Sequence, residues 1–268
     1  MRDSVSRKDY AGNGSGVLVE VFGNYFIMTA GHCVYDYQHN ICMFGVRWNQ
    51  HRYIPDKWKS NYRFIEEDGV DFGYIQIPAN EISQFSAGIR VFAGIDRLLP
   101  INSEQVRSRD DWMVLAGYPA SIAEKTEEGQ GMRLLCGSTV LAGIGNAPIS
   151  TMPIPNQPIE YTDLWFPEHG NIQPADNYNE LIIPQLAGSS GGGCWIAGVR
   201  GNDTKWSPSH LRLTGIHVAS SQSEDQENRF AREVLIGHHL RLIAEDYRNM
   251  RSYIYERWPH LQERRWEI

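Results

Sequence analysis

No long uninterrupted apolar stretch occurs in the 268 residues, which excludes a helical membrane span. Excess positive charge is also missing. The 25 Lys and Arg stand against 32 Asp and Glu for a net −7, the wrong sign for non-specific binding to nucleic acid or an anionic membrane. There is no CxxC pair, and none of the four cysteines (Cys33, Cys42, Cys136, Cys194) is spaced with histidine as a zinc site requires. The first ten residues carry Arg2, Asp3, Arg7, Lys8 and Asp9 where a secretion signal needs an apolar run. These absences lead to the expectation of free thiols in a reducing, cytoplasmic setting. They also predict no metal, no cofactor, no nucleic-acid partner and no membrane partner.

What is present is an ordinary globular composition, 41% hydrophobic and 21% charged, with 25 Gly and 13 Pro. A chain of this size buries roughly 75% of its unfolded surface and needs no disulfide or metal staple. Short apolar runs rich in β-branched and aromatic residues dominate the first 220 positions, among them 16–22, 25–29, 71–77, 112–117, 193–197 and 213–218. Gly23-Asn24 separates the first two as a hairpin turn would. Many short strands with frequent turns predict an all-β sandwich or barrel. Residues 146–184, rich in Pro and Asn, read as a long inserted loop. In the tail, Phe230, Val234, Leu235, Leu240, Leu242, Ile243 and Tyr247 recur near helical spacing among Arg and Glu. That pattern predicts one amphipathic helix between Asn228 and Tyr255, broken near Gly237. His238-His239 within it reads as a surface or packing pair, without acidic partners at ligand spacing.

Three segments bear on chemistry. Thr29-Ala30-Gly31-His32-Cys33 follows an apolar strand, Val70-Asp71-Phe72-Gly73 opens another, and Gly188-Ser189-Ser190-Gly191-Gly192-Gly193 precedes a third. Singly, each is more often structural: a hydrogen-bonded histidine, a capping aspartate, a flexible turn or anion nest. Jointly they are sharper. A serine hydroxyl needs an imidazole to take its proton, and the imidazole needs a carboxylate to fix its tautomer. Flanking glycines allow the tight turn that exposes the hydroxyl and turns backbone N–H groups toward a developing oxyanion.

In this order the segments resemble the boxes of the trypsin/chymotrypsin-like serine protease family. TAGHC at 29–33 is similar to its TAxHC box, VDFGYIQI at 70–77 to its Asp box with Gly in place of Ala, and GSSGG at 188–192 to its GxSGG box. Gly14-Ser15-Gly16-Val17-Leu18, Ala116-Gly117-Tyr118-Pro119 and Leu213-Thr214-Gly215-Ile216-His217-Val218 resemble further family strands, so the likeness runs from about residue 11 to 220. The resemblance implies two six-stranded Greek-key β-barrels, at 11–105 and 106–225, with a C-terminal helical tail at 226–268. It implies a serine endopeptidase acting on polypeptide substrates, with Ser190 as nucleophile, His32 as base and then acid, and Asp71 as orienting carboxylate. The oxyanion hole would be the N–H groups of Gly188 and Ser190. Asp68 competes with Asp71 but sits in an acidic run, Glu66-Glu67-Asp68, that reads as solvated surface.

Departures from the family pattern are informative. Ser189 stands where digestive members carry the Asp that pairs with a freshly cut N-terminus, and no Ile-Val-Gly-Gly occurs near the start, so activation of that type is not expected. Cys33 has no cysteine one hairpin upstream to pair with. Pro184 occupies the trypsin-type pocket-base position, which removes the basis for cleavage after Lys or Arg. His217 falls where glutamyl endopeptidases place a pocket donor for Glu or Gln; the other reading is an inward-facing strand histidine. Gln185, Thr214 and Gly215 complete the substrate-binding set, with Gln185 where those families carry Thr. Two rival functions stay open: a catalytically silent trypsin-like fold serving as a protein-binding module, and a phosphate-binding Gly loop, which lacks the P-loop Lys-Ser/Thr ending. An activating or inhibiting protein partner engaging 146–184 is a further expectation.

Overall fold

A computed structural model of the chain describes residues 14–39, 43–47, 50–53, 57–65, 70–83, 92–100, 111–117, 123–125, 132–134, 141–143, 161–167, 188–199, 207–222 and 228–262. Its first sheet combines β1 (Val17–Val21), β2 (Asn24–Thr29), β5 (Ser60–Ile65) and β6 (Val70–Ile77), in the antiparallel order β1-β2-β6-β5. β1 alternates as a half-buried strand should, with Val17, Val19 and Val21 inward and Leu18 and Glu20 less covered. The β1–β2 hairpin pairs Val21 with Asn24, so its two-residue turn is Phe22-Gly23, one position earlier than the sequence suggests. Both turn residues have positive φ, 48° and 74°, as a type I′ hairpin requires. Asn24 acts instead as the brace, its side-chain amide donating to the Phe22 carbonyl at 3.1 Å.

The second sheet holds β7 (Asp111–Ala116), β10 (Leu141–Gly143), β11 (Tyr161–Pro167), β12 (Gly193–Val199), β13 (Arg212–Gln222) and β14 (Asn228–Leu235), ordered β10-β7-β12-β13-β14-β11. β3 (Met43–Arg47) with β4 (Gln50–Tyr53), and β8 (Ala123–Lys125) with β9 (Met132–Leu134), form two separate ribbons. The expectation of two closed six-stranded barrels is therefore corrected. Among the described residues the first sheet has four strands, and neither sheet closes. The six-stranded sheet curls until its edge strands β10 and β11 approach within 8 Å Cα to Cα, yet they share no ladder. β11 also lies inside the stretch read as a loop, where it pairs with β14 from Tyr161↔Val234 to Pro167↔Asn228.

The tail departs from its reading too. Residues 228–235 are strand β14, and the helix begins only afterwards, as α2 (Ile236–Asp246) and α3 (Arg248–Arg257) on either side of Tyr247. A third helix, α1 (Gly31–His39), follows β2 directly and had no counterpart in the sequence pattern. Residues 92–100 stitch the two sheets together: Ala93 exchanges backbone bonds with Leu18 and Glu20, and Leu99 N–H donates to Leu213 at 2.8 Å. Among the described residues a smaller apolar core gathers Ile27, Val34, Tyr37, Ile75 and Ile77, and the larger runs from Val19, Phe26, Met28 and Phe72 of the first sheet through Leu213, Ile216 and Val234 of the second to Ile236, Leu240 and Ile243 of α2. Among the described residues no helix is long and apolar enough to cross a membrane.

Because α2 closes this core, Leu240→Ala should destabilise the protein by about 2–5 kcal/mol through lost burial and a residual cavity. Urea unfolding followed by circular dichroism would measure it.

Candidate active site

The end of β2 delivers Thr29 and Ala30 into the first turn of α1, which carries His32. β6 pairs beside β2, with Thr29 opposite Gly73, so Asp71 is carried to the start of α1. One oxygen of Asp71, Oδ1, accepts the His32 backbone N–H at 2.9 Å, and the other, Oδ2, meets the ring Nδ1 at 2.8 Å. The carboxylate thus satisfies an N–H of the first helical turn and fixes the ring of the same residue. Since a carboxylate only accepts, Nδ1 carries the proton and Nε2 is left to face outward in the neutral ring. Gly31 makes the approach possible: a Cβ there would sit 2.5 Å from the Arg63 carbonyl and 3.1 Å from Asp71 Oδ1. The His32 side chain is 33% exposed and that of Asp71 only 15%. Burial works against a charged His32 ring, but the bond and charge of Asp71, with the neighbouring Cys33 sulfur, outweigh it and raise its pKa from 6.5 to about 10.

Ser190 sits in a tight turn between Gly188 and Gly191, whose φ values are +87° and +91°. At Gly191 a Cβ would lie 1.9 Å from the Ser15 carbonyl, so no other residue fits. Backbone and side-chain bonds hold the turn, among them that of Gly192 N–H to the Ser189 carbonyl at 2.8 Å. Ser15 N–H donates to the Ser190 carbonyl at 2.7 Å and Ser15 Oγ to Gly188 at 3.2 Å; Gly191 N–H and His217 O pair at 2.7 Å, as do His217 N–H and Gly192 O. Among the described residues the turn's internal bonds use the N–H groups of Gly191 and Gly192, and not that of Ser190. Cys33, next to His32, lies against the same turn, its Sγ 3.7 Å from the Ser190 carbonyl. The Ser190 hydroxyl donates to the Val218 carbonyl at 3.3 Å. The structure thus joins His32 to Asp71 and, through Cys33, sets the pair against the Ser190 turn, while Ser190 Oγ itself is engaged by β13.

β13 also carries His217, which is buried with neither ring nitrogen in a hydrogen bond among the described residues. Burial drives its pKa down to about 4; the Arg232 carbonyl faces the ring without reaching hydrogen-bond geometry and opposes this weakly, while His32 adds to it. Thr214 is buried on the same strand and donates to the Cys194 carbonyl at 3.0 Å and to Glu233 Oε2 at 3.3 Å. A Cβ at Gly215 would meet Glu233 Oε2 at 2.4 Å. Glu233 had escaped the sequence reading; it lies opposite His217 on β14, and cross-strand partners share a face. Gln185, Pro184 and Asp68 lie outside the described residues, as do Cys42 and Cys136. Among the described residues Cys33 is a half-buried thiol outside any disulfide, and Cys194 is buried. Ser189 is buried and its hydroxyl has no hydrogen-bond partner among the described residues.

The histidine pair of the tail is buried in the structure. His239 is fully buried and its Nε2 meets the Thr29 carbonyl at 3.1 Å, while both rings lie against Phe72, at 5.7 Å for His238 and 5.5 Å for His239. Desolvation lowers the His239 pKa to about 4 against the weaker opposing pull of the Thr29 and Leu235 carbonyls and the Asp71 charge.

No family model matches the chain, and no curated protein is similar to it in sequence. Among solved structures it is similar to the crystal structure of Thermobifida fusca protease A, at 10% identity over 87% of this chain and 94% of that one, with a TM-score of 0.29. A likeness at that score fixes neither fold nor function. The residues of the site carry the functional reading.

The three imidazoles should titrate apart. In a histidine NMR titration His32 should lose its proton well above pH 6.5, whereas His217 and His239 should stay neutral down to about pH 4. The two buried rings refuse protons that the unfolded chain accepts, so their contribution to stability is present above pH 6.5 and is lost as pH falls toward 4. His32 has the opposite sign, its contribution being full below pH 6.5 and lost as pH rises through about 10.

Proposed function

We propose that this protein is a serine endopeptidase that cleaves peptide bonds through an acyl-enzyme. The observation that carries the reading is the doubly bonded Asp71–His32 unit set beside the Gly-flanked turn of Ser190. A 3.3 Å bond to Val218 is weak enough for the Ser190 hydroxyl to give it up for one to His32. Ser190 Oγ then attacks the substrate carbonyl carbon as its proton passes to His32 Nε2. The imidazolium is held by Asp71, and the oxyanion accepts from the N–H groups of Gly188 and Ser190. Collapse expels the amine with the proton from His32, and water, activated by the same ring, releases the acid and restores Ser190.

His217 supports a preference for Glu or Gln before the scissile bond. A buried imidazole without partners carries an unsatisfied donor, which costs about 1–3 kcal/mol until an acceptor arrives. Held neutral, the ring offers one donor and one acceptor, which suits a Gln amide as well as a Glu carboxylate. Thr214 is already committed to Cys194 and Glu233 and reaches substrate only by giving up those bonds. A partner that draws Ser190 away from Val218 would be an activator.

A second reading, a silent fold that binds protein without cleaving it, is favoured by the same Val218 bond, which engages the Ser190 hydroxyl with a partner other than His32. One experiment separates the two. A fluorophosphonate probe should label wild-type protein at Ser190, and Ser190→Ala or His32→Ala should lower turnover of a peptide library about ten-thousandfold. Absence of label on folded wild-type protein supports the silent fold. Since only neutral His32 accepts a proton, activity should rise with pH through a limb displaced above 6.5. His217→Ala should leave label intact and flatten the preference for Glu or Gln by roughly tenfold or more.

A further inference from the structure

Three groups near the site have no part in the chemistry above: Glu233 and His239, both buried, and the half-buried Cys33. His239 has the most defined geometry. It projects from α2 into the core, and its Nε2 lies 3.1 Å from the carbonyl of Thr29, the last residue of β2 before the turn that leads to His32. A carbonyl only accepts, so the neutral ring must carry its proton on Nε2, and this fixes the tautomer. The β1 ladder ends at Met28, which leaves Thr29 outside it. Thr29 is also tied from its side chain, since Oγ1 donates to the Ser15 carbonyl at 2.7 Å while Ser15 N–H holds the Ser190 carbonyl at 2.7 Å. One residue therefore links the imidazole of α2 to both halves of the site. On the other face of the ring lies Phe72, the neighbour of Asp71, at 5.5 Å in an edge-to-face arrangement.

From this we infer that His239 is a positioning residue for the His32–Asp71 pair and the Ser190 turn, acting through Thr29. Its Nε2–H holds the end of β2, which sets the entry of α1 and hence the distance of the His32 ring from Asp71. Through the Thr29 hydroxyl it steadies Ser15, and through Ser15 the carbonyl of Ser190. The effect on turnover rests on the endopeptidase reading; the effect on the His32–Asp71 bond does not. The groups facing the ring are the Thr29 carbonyl from β2, Phe72 and Asp71 from β6, and the Leu235 carbonyl ahead of α2.

The test compares His239→Leu, His239→Asn and His239→Gln with Tyr247→Phe. Tyr247 anchors the far end of α2 by donating to Gln76 Oε1 at 2.7 Å, and does not touch Thr29. Two readouts are taken on each folded variant: kcat and KM on a peptide substrate, and the low-field proton resonance of His32 Nδ1–H in its bond to Asp71. Losing the donor should lower kcat by about ten- to a hundredfold, the scale of a misplacement near 1 Å, with KM within twofold. His239→Leu should also broaden or shift the resonance. Gln places an amide N–H where Nε2 stood and should restore both readouts, while the shorter Asn should not. Tyr247→Phe should lower thermal stability and leave both readouts unchanged. If His239→Leu does not fold, the Asn and Gln pair decides. An unchanged resonance and kcat in the Leu or Asn variant, or an equal loss in Tyr247→Phe, overturns the inference. A wild-type protein that neither labels nor turns over overturns the endopeptidase reading instead, and the resonance still decides the role of His239.

Discussion

Both oxygens of Asp71 are committed to a single residue, and much of the local architecture follows from that constraint. The carboxylate must reach the backbone and the ring of His32 at once, so β6 has to run beside β2 and α1 has to begin within one residue of the strand end. It also explains why position 31 tolerates no side chain: the space is taken by the Arg63 carbonyl on one side and Asp71 on the other. A negative group at the start of α1 lies favourably in the helix dipole. The same arrangement that holds the ring therefore also stabilises the segment presenting it.

The pieces of the site were legible in the sequence to the extent that their chemistry is local. His32, Asp71 and Ser190 each sit in a short segment whose glycines and flanking apolar residues betray the turn they need. What was not legible depends on contacts across the chain. Residues 228–235 carry Phe230, Val234 and Leu235 at spacings compatible with a helix. Ala231 to Leu235 are buried without alternation, however, because this strand has neighbours on both edges and cover on both faces. A run buried all round offers no period to distinguish strand from helix. Barrel closure is invisible for a similar reason, since it depends on how far a sheet curls and not on any one strand. His239 gave no signal beyond a doublet of histidines in an apolar pattern; its role rests on a carbonyl 210 residues earlier.

Histidine appears near this site in opposite electrical roles. His32 is partly open, faces a carboxylate and is held toward its charged form. His217 and His239 are sealed among apolar groups and held neutral. One residue type thus supplies a ring held toward its charged form and two held neutral, and the difference lies in solvation and in the carboxylate that only His32 bonds.

Three of the contacts that frame the site span much of the chain. Ser15 reaches Gly188 across 173 residues, Cys33 reaches Ser190 across 157, and His239 reaches Thr29 across 210. Such long closures form slowly, and a ribosome supplies their partners in order. His32 and Asp71 are synthesised early and can meet early, but Ser190 and then α2 must emerge before the turn is clasped. A nascent chain therefore holds the His32–Asp71 pair long before the Ser190 turn is framed, and on the proposed endopeptidase reading cleavage waits until synthesis has passed residue 239.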